Sequence, residues 1–208
     1  MPPQTSAALP IVVLASDRGD HLQAIIEAAR NPEYGAAVVA VGSDRVGNLA
    51  LARATAAGVP TFVVRVADYP NRAEWDATLT EAVAVYAPAL VVSAGFMKIL
   101  GPRFLDRFAA INVHPTLLPA FRGDHAVRQA IDYGVKVSGC TIHFIDAGVD
   151  TGPIIAQEAV AVLPKDTEAT LHERIKPIEI GLLVDVIRRL AVGWRIRGRV
   201  VDLPGGRS

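Results

Sequence analysis

The sequence predicts an α/β fold, a single domain built on a mostly parallel, twisted sheet with helices on both faces. Three observations lead there. Uninterrupted apolar, β-branched runs such as 11–15 and 90–93 alternate with amphipathic stretches at helical spacing. Strands that are apolar on both sides belong to parallel sheets covered by helices on each face. Of the 208 residues, 51% are hydrophobic and 20% charged, enough for one sizeable core and too apolar for a disordered chain. No repeat, linker or low-complexity insert divides the sequence, so one domain is expected over 11–202, preceded by a flexible Pro- and Ala-rich tail over 1–10.

The elements follow in order. A strand over 11–15 leads to a helix over 21–30, with Leu22, Ile25, Ile26 and Ala29 on one face. A strand over 38–41, a helix over 49–57 stopped by Gly58, and a strand over 61–66 come next. The helix over 71–86 sets Trp75, Leu79, Ala82 and Tyr86 on one stripe, with Pro88 beyond its end. A fourth strand (90–93), a short helix (102–108), a strand (111–113) and a helix (126–133) stopped by Gly134 complete the parallel part. Runs 138–145 and 154–162 then read as strands with no helix between them, an antiparallel or mixed extension in the C-terminal half. Thr167 caps a last helix to about 190, with Glu168 in its first turn. Pro177 is expected to kink or break that helix, and Val200 and Val201 to add a final edge strand.

The formal net charge is zero, so no global field draws the chain to nucleic acid or anionic lipid. The start lacks the basic and apolar regions of a signal peptide, and no window is long and apolar enough for a bilayer span. Cys140 is the only cysteine, set among apolar neighbours with no cationic residue adjoining it, and reads as a buried structural thiol. A cytoplasmic protein is expected, with its assembly left open and a homodimer as one option. No ligand cluster has metal-site spacing, so no metal is expected.

The chemistry is concentrated in two segments. Asn112-Val113-His114-Pro115 ends one strand and is followed by Leu117-Leu118-Pro119; Asp146-Ala147-Gly148-Val149-Asp150-Thr151-Gly152-Pro153 follows another. Asn112 and His114, two apart on a strand, point to the same side, so an amide and an imidazole can converge on one oxygen. Asp150, between Gly148 and Gly152, is by itself a turn aspartate bonding its own backbone. Beside His114 it becomes the carboxylate that orients the ring and raises its pKa. An amide, an imidazole and a carboxylate suffice to stabilise an oxyanion and move a proton in acyl-type transfer.

Other positions are more ambiguous. His143, inside an apolar strand, reads as a site residue or as a hydrogen-bonded core histidine. Gly19 lies between the first strand and helix, where backbone N–H groups can hold a phosphate, but Ser16-Asp17-Arg18-Gly19-Asp20-His21 matches neither the dinucleotide nor the P-loop pattern. Asp20 is also a good helix N-cap. The post-strand segment Ala94-Gly95-Phe96-Met97-Lys98-Ile99-Leu100 either walls a pocket for a flat ligand or packs the next helix. Arg-Gly-Asp-His occurs at 18–21 and 122–125 in unlike flanks, a coincidence rather than a repeat.

Together these segments resemble the folate-dependent formyltransferases, from residue 11 to about 190. The resemblance rests on Val12-Val13-Leu14-Ala15-Ser16, Leu22-Gln23-Ala24-Ile25-Ile26, the segment from Ala94 to Leu100, and the two segments from Asn112 and Asp146. It implies a Rossmann-like formyltransferase fold and transfer of a formyl group from 10-formyltetrahydrofolate to the amine of glycinamide ribonucleotide, in purine biosynthesis. It also implies roles. Asn112 and His114 stabilise the tetrahedral oxyanion, and Asp150 holds His114 and relays a proton through water. The folate sits on Arg72, Met97, Lys98, Ile99, Leu100, Asn112 and the loop Asp146, Ala147, Gly148, Val149 and Asp150. Gly19, Asp20 and His21 take the ribonucleotide phosphate, and Glu179 the ribose.

The sequence departs from the family pattern at Asp20-His21, where Ser-Asn is usual; an aspartate facing a phosphate repels it. Arg122 stands where proline is common, and Ile180 where histidine often follows Glu179. These departures lie on the amine side and leave open a formyltransferase for another amine, such as an amino sugar. A non-catalytic folate or nucleotide binding module is the remaining alternative, opposed by the intact Asn112, His114 and Asp150. The additional domains of the methionyl-tRNA and hydrolase relatives have no counterpart in this sequence, and the missing glycine fingerprint opposes a dinucleotide oxidoreductase.

Overall fold

The computed structural model describes residues 8–204. Most of the expected tail lies outside them, but Leu9 and Pro10 already belong to the first strand. Seven strands form one sheet in the order β3-β2-β1-β4-β5-β6-β7. These are β1 (Leu9–Leu14), β2 (Ala36–Ser43), β3 (Thr61–Val63), β4 (Leu90–Ser93), β5 (Ala110–His114), β6 (Val137–Phe144) and β7 (Ile154–Ala161). The first five are parallel, and β6 and β7 continue antiparallel. The helices are α1 (Asp20–Ala28), α2 (Leu49–Ala56), α3 (Arg72–Ala84), α4 (Pro102–Arg107), α5 (Ala126–Tyr133) and α6 (Glu168–Leu190).

The unbroken apolar run of β1 has a direct cause. Ile11 and Val13 pack on one face with Leu22 and Ile25 of α1 and Leu183 and Val186 of α6. Val12 and Leu14 pack on the other with Trp75 and Leu79 of α3 and Phe104 of α4. Both faces are covered, so every residue from Ile11 to Leu14 is fully buried. No helix among the described residues is long and apolar enough to cross a membrane.

Three expectations are corrected. Pro177 does not break the last helix, which runs from Glu168 to Leu190. The proline leaves the Glu173 carbonyl without its helical donor, but Glu173 and Pro177 both face solvent, where water can serve that carbonyl. The buried stripe Leu171, Ile175, Leu183, Val186 and Ile187 holds the helix to the sheet. The last strand does not extend the main sheet: β9 (Val200–Asp202) pairs with β8 (Arg195–Arg197) as a separate hairpin. The third strand also ends early, at Val63, because the chain turns into a 3-10 turn at Val66–Asp68.

The sheet order reverses direction between β1 and β4, and ligands of such sheets bind outside the strands' carboxyl ends at that point. The segments after β1 and β4 meet there, with the Ser16 N–H donating to the Gly95 carbonyl at 3.1 Å and the Met97 N–H to Ser16 Oγ at 2.9 Å. A buried carboxylate of α3, Asp76, secures the approach to β5. It accepts from the N–H groups of Gly101 (2.8 Å), Arg103 (3.0 Å) and Phe104 (3.4 Å), and so caps α4 from outside. A side chain at Gly101 would collide with that carboxylate, its Cβ falling 2.3 Å from Asp76 Cγ. Asp76→Ala is expected to lower unfolding stability by about 2 kcal/mol in urea titration, the cost of orphaning several helix-start donors; a change within about 0.5 kcal/mol, as at an ordinary surface position, would contradict this capping role.

Candidate active site

The site is built where β5 ends. Asn112 and His114 point to the same side, and antiparallel pairing sets them opposite His143 and Thr141 of β6. The loop after β6 then returns Asp150 to them. Asp150 Oδ2 lies 3.2 Å from His114 Nδ1, while its Oδ1 accepts from Asn112 Nδ2 at 3.4 Å and stands 3.5 Å from His143 Nε2. The Gly123 N–H donates to Oδ2 at 2.8 Å. Asp150 itself adopts a left-handed backbone conformation, φ 51°. Such a conformation in a non-glycine residue is costly and is retained where surrounding contacts fix it.

His143 occupies both of its expected environments. Its Nδ1 donates to the Phe144 carbonyl at 2.8 Å, and its Nε2 lies 3.4 Å from Asn112 Nδ2. Between Ile142 and His143, where β7 carries the extra residue Ile155, the β6–β7 register shifts beside the ring. Below it, Thr141 Oγ1 donates to the Thr116 carbonyl at 2.7 Å and accepts from the Leu118 N–H at 3.0 Å, tying down the turn after His114.

Asp150 acts on the ring as expected, but it is not the dominant influence. Burial pulls the His114 pKa below its ordinary 6.5; Asp150 and the Phe121 carbonyl push it up but do not prevail. The ring is therefore mainly neutral at neutral pH. His114 Nε2 donates to the Phe121 carbonyl at 2.8 Å, and Nδ1 faces Asp150. Each nitrogen thus faces an acceptor. A neutral ring can donate to only one of them, whereas a protonated ring donates to both, so the surroundings are already arranged for the cation that forms when the ring takes a proton. Burial pushes the Asp150 carboxyl up, but the His143 contact, the Gly123 N–H and the His114 ring outweigh it and hold the pKa at about 2.

The acceptor-side residues also converge. Gly19, not Asp20, is the N-cap of α1, in a left-handed conformation and without a side-chain cap bond. Its Cβ position would fall 2.7 Å from Ala50 Cβ, so glycine alone fits the close contact with α2. Asp20 instead turns to cations: Arg53 Nη2 at 2.9 Å, Arg18 at 3.5 Å, and Lys176 Nζ in direct contact. The Lys176 hydrogen bond, aided by the charges of Arg18 and Arg53, keeps its carboxyl below the usual range against burial. His21 Nε2 lies 3.6 Å from the buried Glu179 carboxylate, joining α1 to α6.

The folate-side candidates divide. Met97 and Ile99 are the exposed apolar residues of their segment, at 60% and 64%, and Leu100 is buried. Arg72 donates to the Ile99 carbonyl and stacks over Trp75 at 4.1 Å. Lys98 turns to Asp44, 3.1 Å away. In the second loop, Asp146 accepts from the Gly148 N–H and from Thr151 Oγ1, which shapes the turn. Ala147 and Val149 lie on its exposed side. Cys140 is fully buried, its thiol pushed up to about 12 by burial, as an inert structural thiol should be.

The match to known proteins covers this whole framework. The model of the family described as formyl transferase matches residues 9–187. The chain belongs to this family. It is 52% identical over 206 residues to phosphoribosylglycinamide formyltransferase of Mycobacterium tuberculosis, covering 98% of this chain and 94% of that protein. It is 40% identical over 185 residues to the human trifunctional purine biosynthetic protein adenosine-3, covering 88% of this chain and 18% of that one. Its structure is similar to that of glycinamide ribonucleotide transformylase 1 from Symbiobacterium toebii, with a TM-score of 0.92 at 43% identity and 95% of each chain covered.

Sequence reading missed the Phe121 carbonyl and the Gly123 N–H, because backbone groups carry no side-chain signature; only the glycine, at φ 77°, marks the turn. It also missed Arg53, Lys176 and Asp44, whose partners lie far away in the sequence. The Asp150 shift generates a prediction. Between an unfolded pKa of 3.8 and a folded one of about 2, the ionised carboxylate stabilises the native state by roughly 2 kcal/mol above the upper value. That contribution is lost as the pH falls through the lower one. Urea titrations over this range should show the loss in the wild type and its absence in Asp150→Asn; parallel curves would contradict the shift.

Proposed function

We propose that the chain transfers the formyl group of 10-formyltetrahydrofolate to the amine of glycinamide ribonucleotide, as a cytoplasmic enzyme of purine biosynthesis. The observation that carries this reading is the convergence of Asn112, His114 and Asp150 at the carboxyl end of β5, in a formyl transferase chain with close relatives named for that reaction.

The chemistry follows from the groups present. The acceptor amine adds to the formyl carbon, and the carbonyl oxygen becomes an oxyanion. Asn112 Nδ2 lies on the side of β5 where that charge develops and can donate to it, and the positive charge that His114 gains develops beside it. Neutral His114 takes up a proton as the amine loses one, and the cation so formed is held between the Phe121 carbonyl and Asp150. Asp150 keeps the ring oriented and helps relay the proton through water, taking it up transiently and returning to the carboxylate, toward the folate nitrogen that leaves as its bond to the formyl carbon breaks. Met97, Ile99 and Leu100, with the 146–150 loop, supply the wall for the pteridine, and Arg72 holds that wall through the Ile99 carbonyl.

The acceptor side favours a phosphorylated amine over a neutral amino sugar. Asp20 does not oppose a phosphate alone: Arg18, Arg53 and Lys176 surround it and offset its charge. Gly19, Asp20 and His21 present the helix-start N–H groups to the phosphate, and Glu179 meets the ribose.

The test incubates the protein with 10-formyltetrahydrofolate and glycinamide ribonucleotide and follows deformylated folate, with amino sugars in parallel. Turnover with the ribonucleotide is expected, and turnover only with amino sugars would overturn the assignment. His114→Ala should lower kcat by about a hundred- to ten-thousandfold while leaving the circular dichroism spectrum intact. Asp150→Asn should impair transfer more than folate binding; equal losses in both would point to a binding role alone.

A further inference from the structure

Asp44, at the end of β2, is a charged residue that the reaction does not use. Its side chain is only 2% exposed. Oδ2 pairs with Lys98 Nζ at 3.1 Å, with Arg45 Nε farther off at 3.7 Å, and Oδ1 has no hydrogen-bond partner. Burial pushes the carboxyl up, but Ser16 and Lys98 outweigh it and keep it ionised. A buried ion is costly unless it is well paired, so Lys98 is held strongly at this one place.

The segment that Lys98 belongs to is otherwise pinned along its length. Phe96 and Leu100 are buried. The Met97 N–H is bound by Ser16 Oγ and the Ile99 carbonyl by Arg72. Between those fixed points stand Met97 and Ile99, exposed on either side of Lys98. Drawing Lys98 down onto Asp44 fixes the rotation of the segment and leaves its two apolar neighbours facing outward.

We infer that Asp44 is a positioning residue for the folate pocket, acting through Lys98 to hold the Met97 and Ile99 side chains in place as the wall against which the pteridine stacks. The inference rests on the reading that formyl folate binds along this segment. Asp44 touches neither substrate, and its effect is therefore on folate affinity.

Steady-state kinetics with both substrates test it. Asp44→Asn keeps the shape and removes the charge. It is expected to raise KM for 10-formyltetrahydrofolate about tenfold, with a much smaller change in KM for glycinamide ribonucleotide and in kcat. Lys98→Met should raise the same KM, and the double variant should be no worse than the poorer single one, because both remove one interaction. Lys98→Arg should retain most of the wild-type KM. An unchanged folate KM in both single variants overturns the inference, as does a parallel change in kcat and both KM values that follows the folded fraction measured by thermal melting. If wild-type enzyme does not turn over formyl folate at all, the functional reading fails instead, and the two failures are distinct.

Discussion

A half-buried carboxylate stays ionised only when enough polar partners surround it, and at Asp150 those partners come from three separate parts of the chain. Asn112 and His114 come from β5, His143 from β6, and the Gly123 N–H from the loop that passes over His114. If any of these segments were displaced, burial would favour the protonated acid and the ring would lose its orienting charge. Formation of the site is thereby tied to closure of the antiparallel β5–β6 pair and to the turn that Thr141 secures beneath it. The left-handed backbone at Asp150 fits the same picture, a local cost sustained by the contacts around it.

The neutral state of His114 gives this arrangement its chemical direction. A ring that was already cationic could not accept a proton from the attacking amine. A ring held neutral by burial, with an acceptor at each nitrogen, gains its second donor bond only when it is protonated. The interaction is thus stronger in the charged state of the reaction than at rest, which is the condition for accelerating a step rather than merely binding a substrate. The same economy of placement appears at the margins of the crevice. At the start of α1, the Asp20 charge is taken up by Arg18, Arg53 and Lys176. Along the segment after β4, Lys98 pairs with Asp44, and Arg72 is committed to Trp75 and the Ile99 carbonyl.

What could be read in the sequence divides along physical lines. The parallel part of the sheet was legible because its strands are buried on both faces and carry continuous apolar runs. Asn112, His114 and Asp150 were legible because each follows directly from strand geometry or from a short glycine-flanked loop. The helix through Pro177 was not, because local propensity says nothing of the long buried stripe that holds it. The β8–β9 hairpin was not, because a short apolar pair does not reveal its partner. Asp20 was read as a phosphate contact or a helix cap, yet Arg53 and Lys176, 33 and 156 residues away, claim its carboxylate. The backbone groups at Phe121 and Gly123 left no trace beyond a single glycine.

The most direct test of the central claim is an NMR titration of the His114 imidazole in the intact protein, followed by its ring nitrogens. The midpoint should lie below the ordinary 6.5, and it should fall further in Asp150→Asn, where burial remains and the opposing carboxylate charge is gone. A midpoint above that value, or one indifferent to the loss of the carboxylate, would contradict the account.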